Sequence, residues 1–197
     1  MGKNDEFWKG EFGDLYIERN LGLDAEALAF FSNALRRCNG IDEVIELGCG
    51  SGRNLKALSR LGFETWGVEI NEKVLHYVET GNVIRASLLD FTKPEECQPE
   101  LSFTRGVLIH IAPEDLQRAY ERLYECTSRY ILIAEYYAKT PTEIEYRGHA
   151  GKLWRRDFAG EILDKYQDLK LIDYGFVYDR DPMWPQDSIN WFLMEKR

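Results

Sequence analysis

The chain has 197 residues, 44% of them hydrophobic and 13% aromatic, enough for one domain with a sizeable core and too apolar for a disordered chain. A formal charge of −9 and a pI near 5.0 argue against nucleic acid as a partner, because affinity for a phosphate backbone rests on Lys and Arg. Cys38, Cys49, Cys97 and Cys126 show neither CxxC nor Cys/His spacing, so reduced thiols and no metal site are expected.

The opening "MGKNDEFWKGEF" puts charges where a signal peptide needs an apolar core, and no run approaches the roughly 18 apolar residues of a membrane span. A soluble cytoplasmic protein without a membrane partner is the expectation. "FWKGEFGDLYIERN" reads as a lid, with Tyr16 and Arg19 as candidate cofactor contacts and Trp8 and Phe12 packing on the sheet. "LDAEALAFFSNALRRC" is an amphipathic helix. Five short runs rich in Val and Ile follow: "DEVIELG" (42–48), "ETWGVEI" (64–70), "NVIRASL" (82–88), "FTRGVLIHI" (103–111) and "RYILIAEYY" (129–137). Helical patterns separate them: "GRNLKALSRL", "NEKVLHYVET" and "PEDLQRAYERLYEC". "DFAGEILDKYQ" is a last helix, and "LKLIDYGFVYD" and "SINWFLMEK" are strands joined by a loop too short for a crossover, hence antiparallel. The fold expected is α/β: a Rossmann-like, doubly wound, seven-stranded and mostly parallel sheet with an antiparallel last strand and an N-terminal helical segment. One domain spans 1–197, with a helical lid over 1–40, a cofactor-binding half over 41–137, and the acceptor-binding segment, last helix and final hairpin over 138–197.

In "VIELGCGSGRN", Gly48, Gly50 and Gly52 fall at the exit of the first strand, where the chain turns sharply and a ligand can approach backbone without Cβ atoms. Seventeen residues past Gly52, Glu69 ends the second strand, placed to accept hydrogen bonds from both hydroxyls of a ribose. Together these point to a nucleoside cofactor. Dinucleotide folds share both features, but a chain of this size leaves no room for their substrate domain.

The spacing Glu46-Leu-Gly-Cys-Gly-Ser-Gly is similar to motif I of the class I S-adenosylmethionine-dependent methyltransferases. The resemblance implies S-adenosyl-L-methionine as cofactor, held by Glu46, Gly48, Cys49, Gly50, Gly52 and Asn54 in the loop and by Glu69 and Ile70 after the second strand. The adenine would lie at the end of the third strand, where the family often has an acid and this chain has Ser87. Ser87 and Leu88 are the candidates, with Asp90 a weaker one that equally reads as a helix cap.

In this fold the acceptor lies outside the carboxyl ends of the strands. His110 falls there, and a group titrating near pH 6.5 can take a proton from a hydroxyl or amine. His149 is a second candidate base, while His76 reads as structural. "YRGHAGKLWRRDF" sets Arg147, Lys152, Arg155 and Arg156 within ten residues without an acid between them. It reads either as a solvated loop running into a helix or as an anion clamp. Tyr136 and Tyr137 are further candidates for the acceptor pocket, as are Asp181, Trp184 and Asp187 in the last loop.

Longer phrases, among them "TRGVLIHIAPEDL", "YRGHAGKLWRRDFAGEILDKY" and "DYGFVYDRDPMWPQDSINWFLMEK", resemble the methylases associated with pseudaminic acid biosynthesis. That resemblance implies a small acidic acceptor, a nonulosonic acid or its nucleotide-activated form, for surface polysaccharide. The alternatives are a methyltransferase for another small carboxylate or amine, and a cofactor-binding protein of the same fold without turnover.

Overall fold

The computed structural model describes residues 1–18 and 24–197. Three helices lead the chain, α1 (Asp5–Lys9), α2 (Glu11–Glu18) and α3 (Asp24–Ala34). The alternating part follows as β1 (Glu43–Leu47), α4 (Arg53–Arg60), β2 (Glu64–Glu69), β3 (Asn82–Arg85), β4 (Leu101–Arg105), α5 (Leu116–Cys126) and β5 (Tyr130–Glu135). The last part contains β6 (Thr142–Tyr146), β7 (His149–Arg155), α6 (Phe158–Lys165), β8 (Leu169–Val177) and β9 (Ile189–Lys196).

Seven strands form one sheet in the order β3-β2-β1-β4-β5-β9-β8, with β9 antiparallel to both neighbours and the other pairs parallel. The period of two along a strand decides which core each residue joins. Tyr130, Leu132 and Ala134 of β5 face α3 and α4, with Phe30, Phe31 and Leu58, while Ile131 and Ile133 face the side of α5 and α6, with Tyr120, Leu123 and Ile162. β5 is buried along its whole length. Each large apolar side chain so buried contributes about 1.5–3 kcal/mol.

Three expected elements differ. The fourth strand stops at Arg105 rather than running to Ile111: Gly106 turns at φ +68°, and residues Leu108–His110 form a 3-10 turn. The buried carboxylate of Glu135, at the end of β5, draws the backbone N–H groups of Val107, Leu108 and Ile109 out of the sheet ladder. The helix expected after β2 is a short 3-10 segment, Lys73–Tyr77, because only residues 70–81 connect β2 to β3. The stretch Tyr146–Phe158 is not a solvated loop: it is strand up to Arg155 and enters a helix only at its end. β6 and β7 form a separate antiparallel hairpin closed by Arg147 and Gly148, whose φ angles of 51° and 82° are those of the two-residue turn that matches strand twist. α6 begins only at Phe158, capped by the Asp157 side chain on Gly160 N–H at 2.8 Å.

Candidate active site

A cavity of about 580 Å3 opens at the carboxyl ends of β1, β2 and β4, where the strand order reverses. The loop after β1 forms one wall. Gly48, Gly50 and Gly52 all have positive φ, and a Cβ on Gly48 would lie 2.8 Å from both Val107 methyls. The loop rests on β2: Gly48 and Cys49 N–H donate to the carbonyl of Val68 at 2.8 and 3.0 Å. Gly67 permits this, since a Cβ there would lie 2.6 Å from Cys49 Sγ. Glu69 accepts from the N–H of Gly50 (2.9 Å) and of Asn71 (2.8 Å), and burial raises its carboxyl above the usual range.

Glu46 is 1% exposed, and burial pushes its carboxyl up to about 8. Its Oε1 accepts from Asn54 Nδ2 at 2.6 Å. Asn54 Oδ1 accepts from Arg105 Nη1 at 2.9 Å, and the same guanidinium reaches Gln186 in the β8–β9 loop. Burial and the charge of Arg53 lower Arg105 to about 10.

The opposite wall is aromatic. His110 and Trp8 lie 4.5 Å apart between ring centres, His110 and Tyr146 4.8 Å, and Trp8 and Tyr16 5.5 Å. His110 Nδ1 is 2.7 Å from the Lys152 carbonyl, which can only accept, so Nδ1 carries the proton and Nε2 the lone pair. Burial lowers His110 to about 4, so the ring is neutral at pH 7. The N-terminal helices cover this side. Asn4 Nδ2 donates to the carbonyl of His110 at 2.9 Å, and Asn71 Nδ2 donates to that of Trp8 at 3.1 Å.

The expected cofactor residues Glu46, Gly48, Cys49, Gly50 and Asn54 all line this cavity, as do Glu69, Ile70, Ser87, Leu88 and Tyr16. Gly52 faces away, toward Val78, and Arg19 lies outside the described residues. Asp90 sits in a surface ion pair with Arg118 and caps no helix. Of the residues expected to meet an acceptor, His110, Tyr136, Arg147 and Asp187 line the cavity.

The rest of the expected acceptor set lies off its wall. His149 is exposed against Phe7 and Phe12, so it is not beside His110 as a second base. Lys152 binds Asn4 Oδ1 at 2.6 Å and lies over Phe7, Arg155 lies over Tyr136 with its head exposed, and Arg156 pairs with Glu161 at 2.8 Å. Alternation along β7 and these partners disperse the cluster, so it is not a four-cation clamp. Tyr137 points to Phe192, and Asp181 builds its own turn by accepting from the N–H of Met183 and Trp184.

Trp8 was expected in packing and instead lines the cavity, while Arg53, Arg105, Tyr146 and Gln186 are wall residues that the motif reading omitted. A signal existed for Arg105, a cation at the end of an apolar strand beside the glycine loop. None existed for Tyr146, which depends on the hairpin.

Residues 44–129 match the methyltransferase domain family. The segment is a methyltransferase domain, and S-adenosylmethionine is its cofactor. No curated protein matches the sequence. Magnesium protoporphyrin IX methyltransferase from Synechocystis PCC 6803, solved with bound S-adenosylmethionine, shares the fold with a TM-score of 0.69 at 12% identity, over 98% of this chain and 95% of that one. An S-adenosylmethionine-dependent methyltransferase from Archaeoglobus fulgidus superposes with a TM-score of 0.66 at 17% identity, over 95% and 100%. One from Clostridium acetobutylicum superposes with 0.65 at 11%, over 94% and 98%. At these identities the likeness concerns the fold. The methyltransferase domain supplies the glycine loop, Glu69 and the turn after β4, while the hairpin and the β8–β9 loop lie beyond residue 129. Among the described residues, no helix is long and apolar enough to cross a membrane.

Proposed function

We propose that the chain transfers a methyl group from S-adenosylmethionine to a small acidic acceptor, a nonulosonic acid or its nucleotide-activated form. The cavity fits the cofactor on three buried polar atoms that have no hydrogen-bond partner among the described residues, Trp8 Nε1, Glu46 Oε2 and Arg53 Nε, all on residues of its wall. Glu69 would hold the ribose and the Ser87–Leu88 backbone the adenine. Glu46 would meet the amino group of the methionine moiety, and Arg53 with Arg105 its carboxylate. When bound, the cofactor supplies an electrophilic methyl group on a sulfonium.

The acceptor class rests on Arg147. Among the described residues it is the non-glycine with positive φ, a conformation that disfavours a Cβ, and it sits on the cavity wall at the hairpin turn. A strained cation at this position serves an anion such as the carboxylate of an acidic sugar. Trp8, Tyr136 and Tyr146 offer flat faces for its C–H groups and keep water out. His110 Nε2 orients an acceptor hydroxyl. Its low basicity suits a group that takes the proton only as positive charge develops on the acceptor oxygen.

Calorimetry with S-adenosylhomocysteine tests the cofactor half, and absence of binding would sink it. Mass spectrometry of reactions with free and nucleotide-activated nonulosonic acids tests the acceptor. A gain of one methyl is expected, and no gain with either removes the acidic-sugar reading.

A further inference from the structure

Glu135 closes β5 at the bottom of the cavity wall without lining the cavity itself, and it is 2% exposed. Its Oε1 accepts from Val107 and Leu108 N–H, each at 3.1 Å, and its Oε2 from Ile109 N–H at 3.3 Å. The last ladder bond of this segment is Gly106 N–H to the carbonyl of Ala134 at 2.9 Å. Beyond it the turn closes on itself, His110 N–H to Val107 O and Ile111 N–H to Leu108 O. The three N–H groups use both oxygens of the side chain, an arrangement that an ionised carboxylate supports and an amide, one of whose two terminal atoms is an NH2 donor, does not.

We propose that Glu135 is a positioning residue, whose ionised carboxylate gathers the amides of Val107, Leu108 and Ile109 and so sets His110 in the acceptor wall and Val107 against Gly48. That His110 faces an acceptor rests on the function proposed above; the hold of Glu135 on the turn does not. Protonation turns one of the two acceptor oxygens into a donor, which leaves a buried N–H without its acceptor and loosens the turn. The device responds to pH. Burial outweighs the three N–H bonds and the Thr104 hydroxyl and pushes Glu135 up to about 7, so a proton arrives within the ordinary range and puts an O–H where a donor was accepted. The titratable groups that feel its charge keep one state from pH 6 to 8: Tyr120 of α5 is raised by burial and by its bond to Glu161, and Tyr136 is pushed up to about 12; His110, lowered to about 4 by burial, stays neutral over the same range.

The test is NMR of the wild-type protein from pH 5.5 to 8.5, following the amide signals of Val107, Leu108 and Ile109 and the ring signals of His110. The expected result is a common midpoint near 7, with His110 neutral throughout. In Glu135→Gln the midpoint should vanish, and the three amides should exchange at least tenfold faster relative to those of β5. Amides that titrate while the His110 ring stays still would reduce Glu135 to a structural cap and overturn the proposal, as would a midpoint that survives in Glu135→Gln. The wild-type titration stands even if the variant does not fold. Calorimetry with S-adenosylhomocysteine on the same wild-type samples bears only on the methyltransferase reading, whose failure would leave the titration result intact.

Discussion

His110 Nδ1 and the backbone carbonyl of Lys152 lie 2.7 Å apart, and this bond carries the cation-rich strand into the site through its main chain. The carbonyl fixes the ring's tautomer and leaves Nε2 as the acceptor. β7 therefore contributes to the site at Lys152 without that residue's charge, which is spent on Asn4 and on the face of Phe7.

The depressed His110 pKa has a thermodynamic consequence. A base near 4 when folded and 6.5 when unfolded contributes stability that is present above 6.5 and is lost as pH falls through 4. Between pH 7 and pH 5, wild type should lose about 2 kcal/mol more than His110→Gln. Urea midpoints of both proteins at the two pH values measure this; equal losses would place His110 in water.

Glu46 runs the other way. Its folded pKa of about 8 lies above the unfolded 4.5, so its contribution is fully present below 4.5 and is lost as pH rises through 8. Glu46→Gln keeps an oxygen for Asn54, and without ligand it should be more stable than wild type at pH 8 by a few kcal/mol. It should bind S-adenosylhomocysteine at least tenfold more weakly, about 1.4 kcal/mol. Denaturation at pH 8 and calorimetry check the two effects separately.

Arg147 and Arg156 should separate cleanly. Arg147→Asn suits the positive φ better and should raise stability by about 0.5–1 kcal/mol while raising the Michaelis constant for the acceptor severalfold. Arg156→Ala breaks the pair with Glu161 and should cost about 1 kcal/mol or less, with acceptor kinetics unchanged. Thermal melts and steady-state kinetics distinguish them.

Gly67 supports the glycine loop from below. Gly67→Ala places a methyl against Cys49 and Leu55, which should cost about 1–3 kcal/mol and weaken S-adenosylhomocysteine binding, whereas Gly62→Ala, in open space but at φ +98°, should cost stability through the backbone alone and leave binding unchanged. Calorimetry on both variants gives the comparison.

The parallel sheet was legible because its strands are apolar on both faces and its crossovers carry helical periods. The glycine loop and Glu69 were legible because their chemistry is local. The acceptor side was not. The Arg147–Gly148 turn lacks the Asn or Asp that usually marks a two-residue hairpin, so "TEIEY" and "HAGKLWR" carry no local hairpin signal and their cations read as one cluster. His110 lines the cavity from a 3-10 turn and not from a strand end: "GVLIHI" is apolar like a strand, and what bends it is a carboxylate 25 residues further on, Glu135. Trp8 reaches the site because the N-terminal helices fold back over it, a long-range contact with no local signature.

Arg105 fastens two parts of the protein that an engineer would treat as separate, gripping Asn54 on the cofactor side and Gln186 in the loop between the last strands. Grafting a new 178–188 loop to change the acceptor would therefore do more than reshape a pocket. A graft without a hydrogen-bond acceptor at position 186 would strand a half-desolvated guanidinium beside Asn54, so, on the function proposed above, a swap aimed at specificity would register first as lost cofactor affinity.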